Sequence, residues 1–318
     1  MGKYILKRFL QAIPILIVVS IISFTIMHMA PGDPVMSYVT PKMSQEDIQN
    51  VRTNLGLDKP IPIQYLQWLK NTLKGDLGYS LVDYRPVGQE ILERLPATFL
   101  LMGTSLVLSL VLGISIGLIS AHYQNSKFDK IFSVISYIGI SIPSFWFAMI
   151  LIIIFAVKLQ ILPSVGMHSP GVDSTLDVIH HLIMPALVLS FGSFSVISRY
   201  IRGKAIVEKT RDYVRTAKGK GVPNKIIFYK HILRNILLPI VTILGMSLPD
   251  LVTGAFITET IFGWPGMGRM GVNAIFSFDY PVIMAITMIS SLLLIIGNLI
   301  SDILYGFVDP RIKAVELE

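Results

Sequence analysis

Six stretches of this chain carry no Lys, Arg, Asp or Glu: residues 9–32, 95–126, 131–157, 178–198, 235–249 and 280–301. The fifth continues past Asp250 to residue 258. Each supplies the roughly 20 apolar residues that a helix needs to cross a bilayer, and each is too long for a barrel strand. Lipid leaves no partner for a free amide, so runs of this kind have to close their hydrogen bonds within a helix. The expected fold is therefore an all-α integral membrane protein with six transmembrane helices. Composition agrees: 53% of the 318 residues are hydrophobic and 15% charged, too few for the surface of a soluble domain. The absence of cysteine removes disulfides, iron–sulfur clusters, thiolate metal sites and cysteine nucleophiles together.

The basic residues orient the spans. With the N-terminus inside, the segments 1–8, 127–130, 199–234 and the C-terminal tail face the cytoplasm. They hold three, two, eleven and two Lys/Arg, 18 of the chain's 27. The short outer connections hold Lys158 and Arg269 alone. This bias is the positive-inside pattern, and it places both termini inside. The first span has no small-x-small site before Pro31 and is expected to be retained. Topology thus accounts for most of the net charge of +7 without a nucleic-acid partner. The chain divides into a tail and first helix (1–29), an extracytoplasmic helical segment (30–97), a five-helix core (98–305) containing a cytoplasmic loop at 202–236, and a tail (306–318).

In the outer segment, Pro31-Gly32-Asp33-Pro34 stops the first helix. Ser44-Gln45-Glu46-Asp47 resembles a capping box that opens a helix to about Asn54, ending at Gly56. A second helix is expected after Pro60 or Pro62, burying Tyr65, Leu66, Trp68, Leu69 and Leu73 before Gly75. A third, 87–94, leads into the second span. The segment reads as a cap packed on the spans, and also as a surface that receives something from outside.

Within the spans, Ser105, Ser109, Gly113, Gly117 and Ala121 form a small-xxx-small stripe, the pattern of close helix packing. Serines are dense in the third and fourth spans, and Asp250 lies inside the fifth between Pro249 and Gly254. A mid-bilayer acid costs about 2.5–3.5 kcal/mol on insertion scales, so it should face protein or water. Ser136, Ser141, Ser190, Ser193 and Asp250 are the candidate residues of a translocation path. Asp302 lies near the inner end of the last span beside Asn298. His168, Asp173, Asp177, His180 and His181 share an outer loop, without the defined spacing of metal ligands. Residues 258–268, TETIFGWPGMG, put three glycines and a proline among aromatic rings. An aromatic belt explains the rings but not the helix breakers, so a tightly folded outer plug is expected, with Glu259, Phe262, Trp264 and Pro265 as its gate residues.

No GxxxxGK[ST] occurs, and no metal motif or nucleophile constellation stands out. Uphill transport would need an ion gradient or a partner's ATPase. Residues 203–218 have helical spacing, Gly219 and Gly221 permit positive φ, and Pro223 suits the start of a second helix carrying Ile226, Ile227, Phe228, Ile232 and Leu233. A topology anchor or an anionic-lipid site needs the charge but not the glycine elbow. A docking elbow needs a presented helix and small side chains at its tip. An ion-coupled transporter, a channel or a lipid-binding scaffold remain alternatives at this point.

Arg215-Thr216-Ala217-Lys218-Gly219-Lys220-Gly221, followed by an apolar stretch and Leu238-Pro239, resembles the EAA loop of ABC importer permeases, with Thr-Ala in place of Ala-Ala and Arg in place of Glu. These departures are similar to the peptide and nickel branch. So are APGDPV at 30–35, GLDKPIPIQYLQWLK at 56–70, GDLGYS at 75–80, RLPAT at 94–98, TETIFGWPGMG at 258–268, DYPVIMA at 279–285 and DPRIK at 309–313. The resemblance covers essentially the whole chain. It implies a non-catalytic permease subunit for di- or oligopeptides, with nickel or another small solute as the alternative cargo, in a bacterial or archaeal cytoplasmic membrane. Its partners would be a second related permease, two ATPase subunits that bind ATP and Mg, and an extracytoplasmic solute-binding protein. No cofactor or metal is expected on this chain. Tyr213, Val214, Arg215, Thr216, Ala217, Lys218, Gly219, Lys220, Gly221, Val222 and Pro223 would form the coupling helix seated in an ATPase groove.

Overall fold

The computed structural model describes residues 2–29, 35, 43–54, 56–172, 174–236, 240, 247, 251 and 254–308. The described chain is helical, with one isolated antiparallel bridge between Tyr79 and Pro86. The long elements are α1 (Gly2–Met29), α4 (Val87–His122), α5 (Lys127–Ser141), α6 (Ser144–Leu151), α7 (Thr175–Glu208) and α13 (Tyr280–Val308). Between α1 and α4 lie α2 (Gln45–Asn54) and α3 (Ile61–Leu73). After α7 come α8 (Asp212–Gly219), α9 (Asn224–Ile226), a π-helical stretch Ile227–Ile232 and α10 (Leu233–Ile236), then α11 (Phe256–Ile261) and α12 (Met267–Phe276).

Among the described residues, three helices are long and apolar enough to cross a membrane: Val87–His122, Thr175–Glu208 and Tyr280–Ile300. Lys127–Ser141 with Ser144–Lys158 makes a fourth span if the bent pair is counted as one, and Ile13–Met29 in α1 is a shorter apolar helix. Asp250, Pro249 and most of the expected fifth span lie outside the described residues, as do the Pro31–Pro34 turn, Asp173 and the 309–313 motif.

Several sequence expectations change. The third span, expected as one helix over 131–157, is broken by 110° between α5 and α6. Ile142 is extended (φ −79°, ψ 126°) because the following Pro143 disfavours the helical region, and Pro143 becomes the N-cap of α6. The expected 87–94 helix does lead into the second span, the two forming one continuous helix, α4, with Pro96 inside. The expected helix over 203–218 is divided by a turn at 209–211, because α7 runs on to Glu208. In α3, Tyr65, Trp68 and Leu69 are partly buried as expected, but Leu66 and Leu73 are exposed.

The capping box at Ser44 forms. Its hydroxyl accepts from the Asp47 amide at 3.1 Å, and the Asp47 carboxylate accepts from the Ser44 amide at 2.9 Å. The side-chain and backbone hydrogen bonds from Ser44 hold the Asp47 carboxyl below its ordinary range. Gly56 then takes φ +68° just past the helix end.

The packing centre is the seam between α4 and α7. All five small residues of the α4 stripe are buried. A Cβ on Gly113 would sit 2.6 Å from Ile197, and one on Gly117 would sit 2.6 Å from the Ser198 carbonyl. On the other side of α7, a Cβ on Gly139 of α5 would overlap the Ser195 hydroxyl. The small residues are therefore what allow three helices to approach this closely. Seam hydroxyls bond carbonyls one turn back, as in Ser105 to Leu101 and Ser109 to Ser105, each 2.7 Å.

Candidate functional site

The elbow is built from the end of α7 outward. α8 opens with Asp212 and closes with Lys218, an order of charge that complements the helix dipole. Its far end closes as a Schellman motif. The Val222 amide donates to the Ala217 carbonyl at 3.1 Å, and the Gly221 amide to the Lys218 carbonyl at 3.0 Å. Gly221 takes φ +75°, which an L side chain rarely adopts. Gly219, expected to use positive φ as well, is the last helical residue of α8 and does not. Pro223 is the N-cap of α9.

The elbow has two faces. Val214 is 2% exposed and packs with Ala121 of α4, Ile201 and Ala205 of α7, and Phe228 and Ile232 of the return segment. Tyr213, Ala217 and Val222 pack against the same cluster. Arg215, Thr216, Lys218, Gly219, Lys220, Gly221 and Pro223 are exposed. A Cβ on Gly219 or Gly221 would meet nothing within 4 Å. Among the described residues, no neighbouring side chain requires a glycine at either position.

Polar braces join the elbow to the helices behind it. Tyr213 donates its hydroxyl to Glu208 at 2.8 Å, and burial pushes its phenol above the ordinary range. Arg202 of α7 donates from Nε and Nη2 to both oxygens of Asp129 at 2.6 and 2.8 Å, and Asp129 also accepts from the Asn125 amide at 2.8 Å. The Asp129 side chain is 3% exposed, so this bidentate pair is largely desolvated on the acid's side. Lys209 donates to the Ala121 carbonyl, near the end of α4, and lies 5.1 Å over the Phe228 ring. Burial pulls its ammonium below the ordinary lysine range. The ends of α4, α5 and α7 and the elbow are thereby fastened together. Sequence reasoning missed these braces; Asp129 as the lone acid in the basic segment 127–130 was the available signal.

The candidate path residues separate. A cleft of about 470 Å³ opens where α5 bends into α6 and is lined by Gly139, Ile142, Ser144, Phe147, Gly192 and Ser193 among others. Ser193 faces it, and Ser141 is exposed but is not part of the lining. Ser136 is buried and bonds Ser198 at 2.9 Å, and Ser190 is buried with its hydroxyl on the Leu187 carbonyl at 3.1 Å. Asp250 is outside the described residues.

Residues 254–268 fold around one carboxylate. Glu259 is fully buried and accepts from Thr98 at 3.2 Å, the Ala255 amide at 3.3 Å and the Arg269 amide at 3.0 Å. The last of these lies in the first turn of α12, so Glu259 caps that helix from a distance in sequence. A Cβ on Gly254 or Gly266 would overlap its carboxylate, and one on Gly268 would sit 3.0 Å away. Thr98 accepts in turn from the Met267 amide at 2.7 Å, and the Trp264 indole donates to the Ala97 carbonyl at 2.8 Å. Phe262 and Trp264 are buried, and Pro265 is partly exposed. Of the three glycines that an aromatic belt left unexplained, Gly266 and Gly268 make room for Glu259, and Gly263 takes φ +58°. Two histidines fasten an adjoining loop: His180 bonds the Ile161 carbonyl, and His181 bonds the Gly166 carbonyl and the Ser169 hydroxyl. Among the described residues, no group of three or more His, Cys, Asp or Glu is placed to hold a metal ion.

Residues 113–314 match the model of the binding-protein-dependent transport system inner membrane component, and residues 1–102 match that of its N-terminal part. The chain is 44% identical over 315 residues to the oligopeptide transport system permease protein AppB of Bacillus subtilis, covering 98% of this chain and 100% of that one. It is 41% identical over 317 residues to a putative peptide permease protein of Brucella suis, covering 98% and 99%. It is 38% identical over 313 residues to the glutathione transport system permease protein GsiC of Escherichia coli K12, again covering 98% and 99%. With its apolar spans, its small-residue seam and its basic elbow, the chain belongs to the membrane-spanning permeases of binding-protein-dependent ABC importers, in their peptide and nickel branch.

Proposed function

We propose that this chain is the permease subunit of an ATP-driven importer that moves di- or oligopeptides into the cytoplasm. It works with a second related permease, two ATPases that bind ATP and Mg, and an extracytoplasmic solute-binding protein. It spans the membrane six times with both termini inside and has no catalytic centre of its own. Residues 213–223 seat in a groove of the ATPase, and closure of the ATPase pair turns the spans outward.

The observation that carries this reading is the two-faced elbow. Its apolar side is committed to α4 and α7, while Arg215, Lys218 and Lys220 surround two glycines that their own chain leaves open. A lipid-binding cluster has no use for the closed Schellman turn, whereas a groove does. The names of the relatives, oligopeptide and glutathione permeases, favour short peptides over nickel. Reconstitution with the partner subunits tests the cargo: uptake of a labelled dipeptide that requires both ATP and the binding protein supports the reading. Uptake of nickel without peptide competition would assign the other cargo. Uptake that follows an ion gradient and ignores ATP would sink the importer assignment.

A further inference from the structure

Helix α3, expected within an extracytoplasmic cap, packs against α1 and against the cluster that α1 shares with α13. Its inward face is read by two rulers. On α1, Tyr65 bonds the Ser20 hydroxyl at 2.8 Å, the Phe24 ring lies 5.5 Å from Tyr65 and 6.0 Å from Trp68, and Gln64 bonds His28 at 3.1 Å. The uncharged stretch from Phe9 to Met29 is about 31 Å long as a helix, the thickness of the hydrocarbon core. On that scale Phe24 lies about 7.5 Å and Ser20 about 13.5 Å below the outer end of α1. On α13, Met284 belongs to the cluster against which Tyr65 and Trp68 pack, and it lies in the first turns of the apolar span. Both rulers give the same level, inside the hydrocarbon edge of the leaflet at the C-terminal end of α1.

The other face of α3 carries Ile63, Leu66 and Leu73, spaced by three and seven residues, at 49%, 62% and 80% exposure. Tyr65 and Trp68 occupy the opposite face. Asp58 and Lys59 before the helix, and Lys74 and Asp76 after it, give it polar ends, and Lys70 is long enough to carry its ammonium to the headgroups. An apolar stripe at this depth meets acyl chains, because an interfacial helix sinks its apolar face about 5–10 Å into that boundary.

We infer that α3 is an interfacial helix of the outer leaflet whose Ile63–Leu66–Leu73 stripe binds lipid acyl chains, anchoring the segment between α1 and α4 in the membrane. The segment is then held at a fixed height beside the two spans it touches. Its connections to α2 and to the loop before α4 remain in the aqueous layer.

The chain has no cysteine, so Leu66→Cys and Leu73→Cys each accept a single spin label. The assembled transporter is reconstituted in nanodiscs of phosphatidylethanolamine and phosphatidylglycerol, and retention of complex size checks the fold of each variant. Oxygen should relax the label more strongly than nickel-EDDA at both positions, and Asp58→Cys should show the reverse. Stronger relaxation by nickel-EDDA at 66 and 73 would overturn the inference, since the stripe would then face water and await a soluble partner. Low accessibility to both reagents would also overturn it, because a protein subunit would be covering the stripe.

Discussion

Gly219 and Gly221 stand two residues apart on the elbow and answer to different constraints. Gly221 sits at φ +75° in the Schellman turn, whereas Gly219 is ordinary helix. Alanine at 221 therefore forces a left-handed L residue and costs about 1–2 kcal/mol. Alanine at 219 meets no atom within 4 Å and gains up to about 1 kcal/mol of helix propensity, less at a terminal position. If folding alone selected the glycines, Gly221→Ala would be the damaging change and Gly219→Trp would be nearly silent. If the exposed face enters a groove, the order inverts for partner binding. Gly219→Trp then abolishes capture of the ATPase while leaving the permease as stable as its parent, and Gly221→Ala lowers the melting temperature but retains the ATPase. The assay is co-purification of the ATPase from membranes, run beside thermal unfolding of each purified permease. An ATPase that stays bound to Gly219→Trp would refute the docking argument, since nothing in the permease's own fold would compensate for the added indole.

Arg202→Met leaves the buried Asp129 carboxylate without its bidentate partner and should destabilise the permease by about 3 kcal/mol. Thermal unfolding measures this, and adding Asp129→Asn should recover much of the loss. Gly266→Ala drives a methyl into the Glu259 carboxylate and the Thr98 hydroxyl, an overpacking expected to cost about 1–3 kcal/mol and read as faster proteolysis of the 254–268 loop. In this cysteine-free chain, Ser193→Cys should react with a water-soluble maleimide, and Ser136→Cys and Ser190→Cys should not. Equal labelling of all three would show that the seam serines also meet water.

The helices and their closest contacts were legible because their causes are local. Ser105 to Ala121 repeats every four residues, and the same stripe forms the α4–α7 seam. The elbow was legible too, because Gly221 and Pro223 punctuate it. The break at Ile142–Pro143 had its local signal in Pro143, but it lies inside an uninterrupted uncharged run that hydropathy alone counts as one span. The extent of α7 was hidden for the opposite reason: Arg199, Arg202 and Lys204 ended the apolar run, but the backbone continued to Glu208. The Glu259 pocket was beyond local reading altogether. Its carboxylate meets Thr98 from 161 residues earlier, and only the fold brings the two together.

The glycine seam has a mechanical consequence. Gly113 lies under Ile197, and Gly117 under Ser198 and Ile201, so sliding α4 along α7 by one residue would thrust a branched or hydroxylated side chain into that contact. Shear along the seam is blocked, and the two helices act as a single stiff strut running back from the elbow. A push at the elbow must therefore tilt this strut as a unit. The flexure has to occur at its margins, and the 110° corner between α5 and α6 is one place where the chain is already bent.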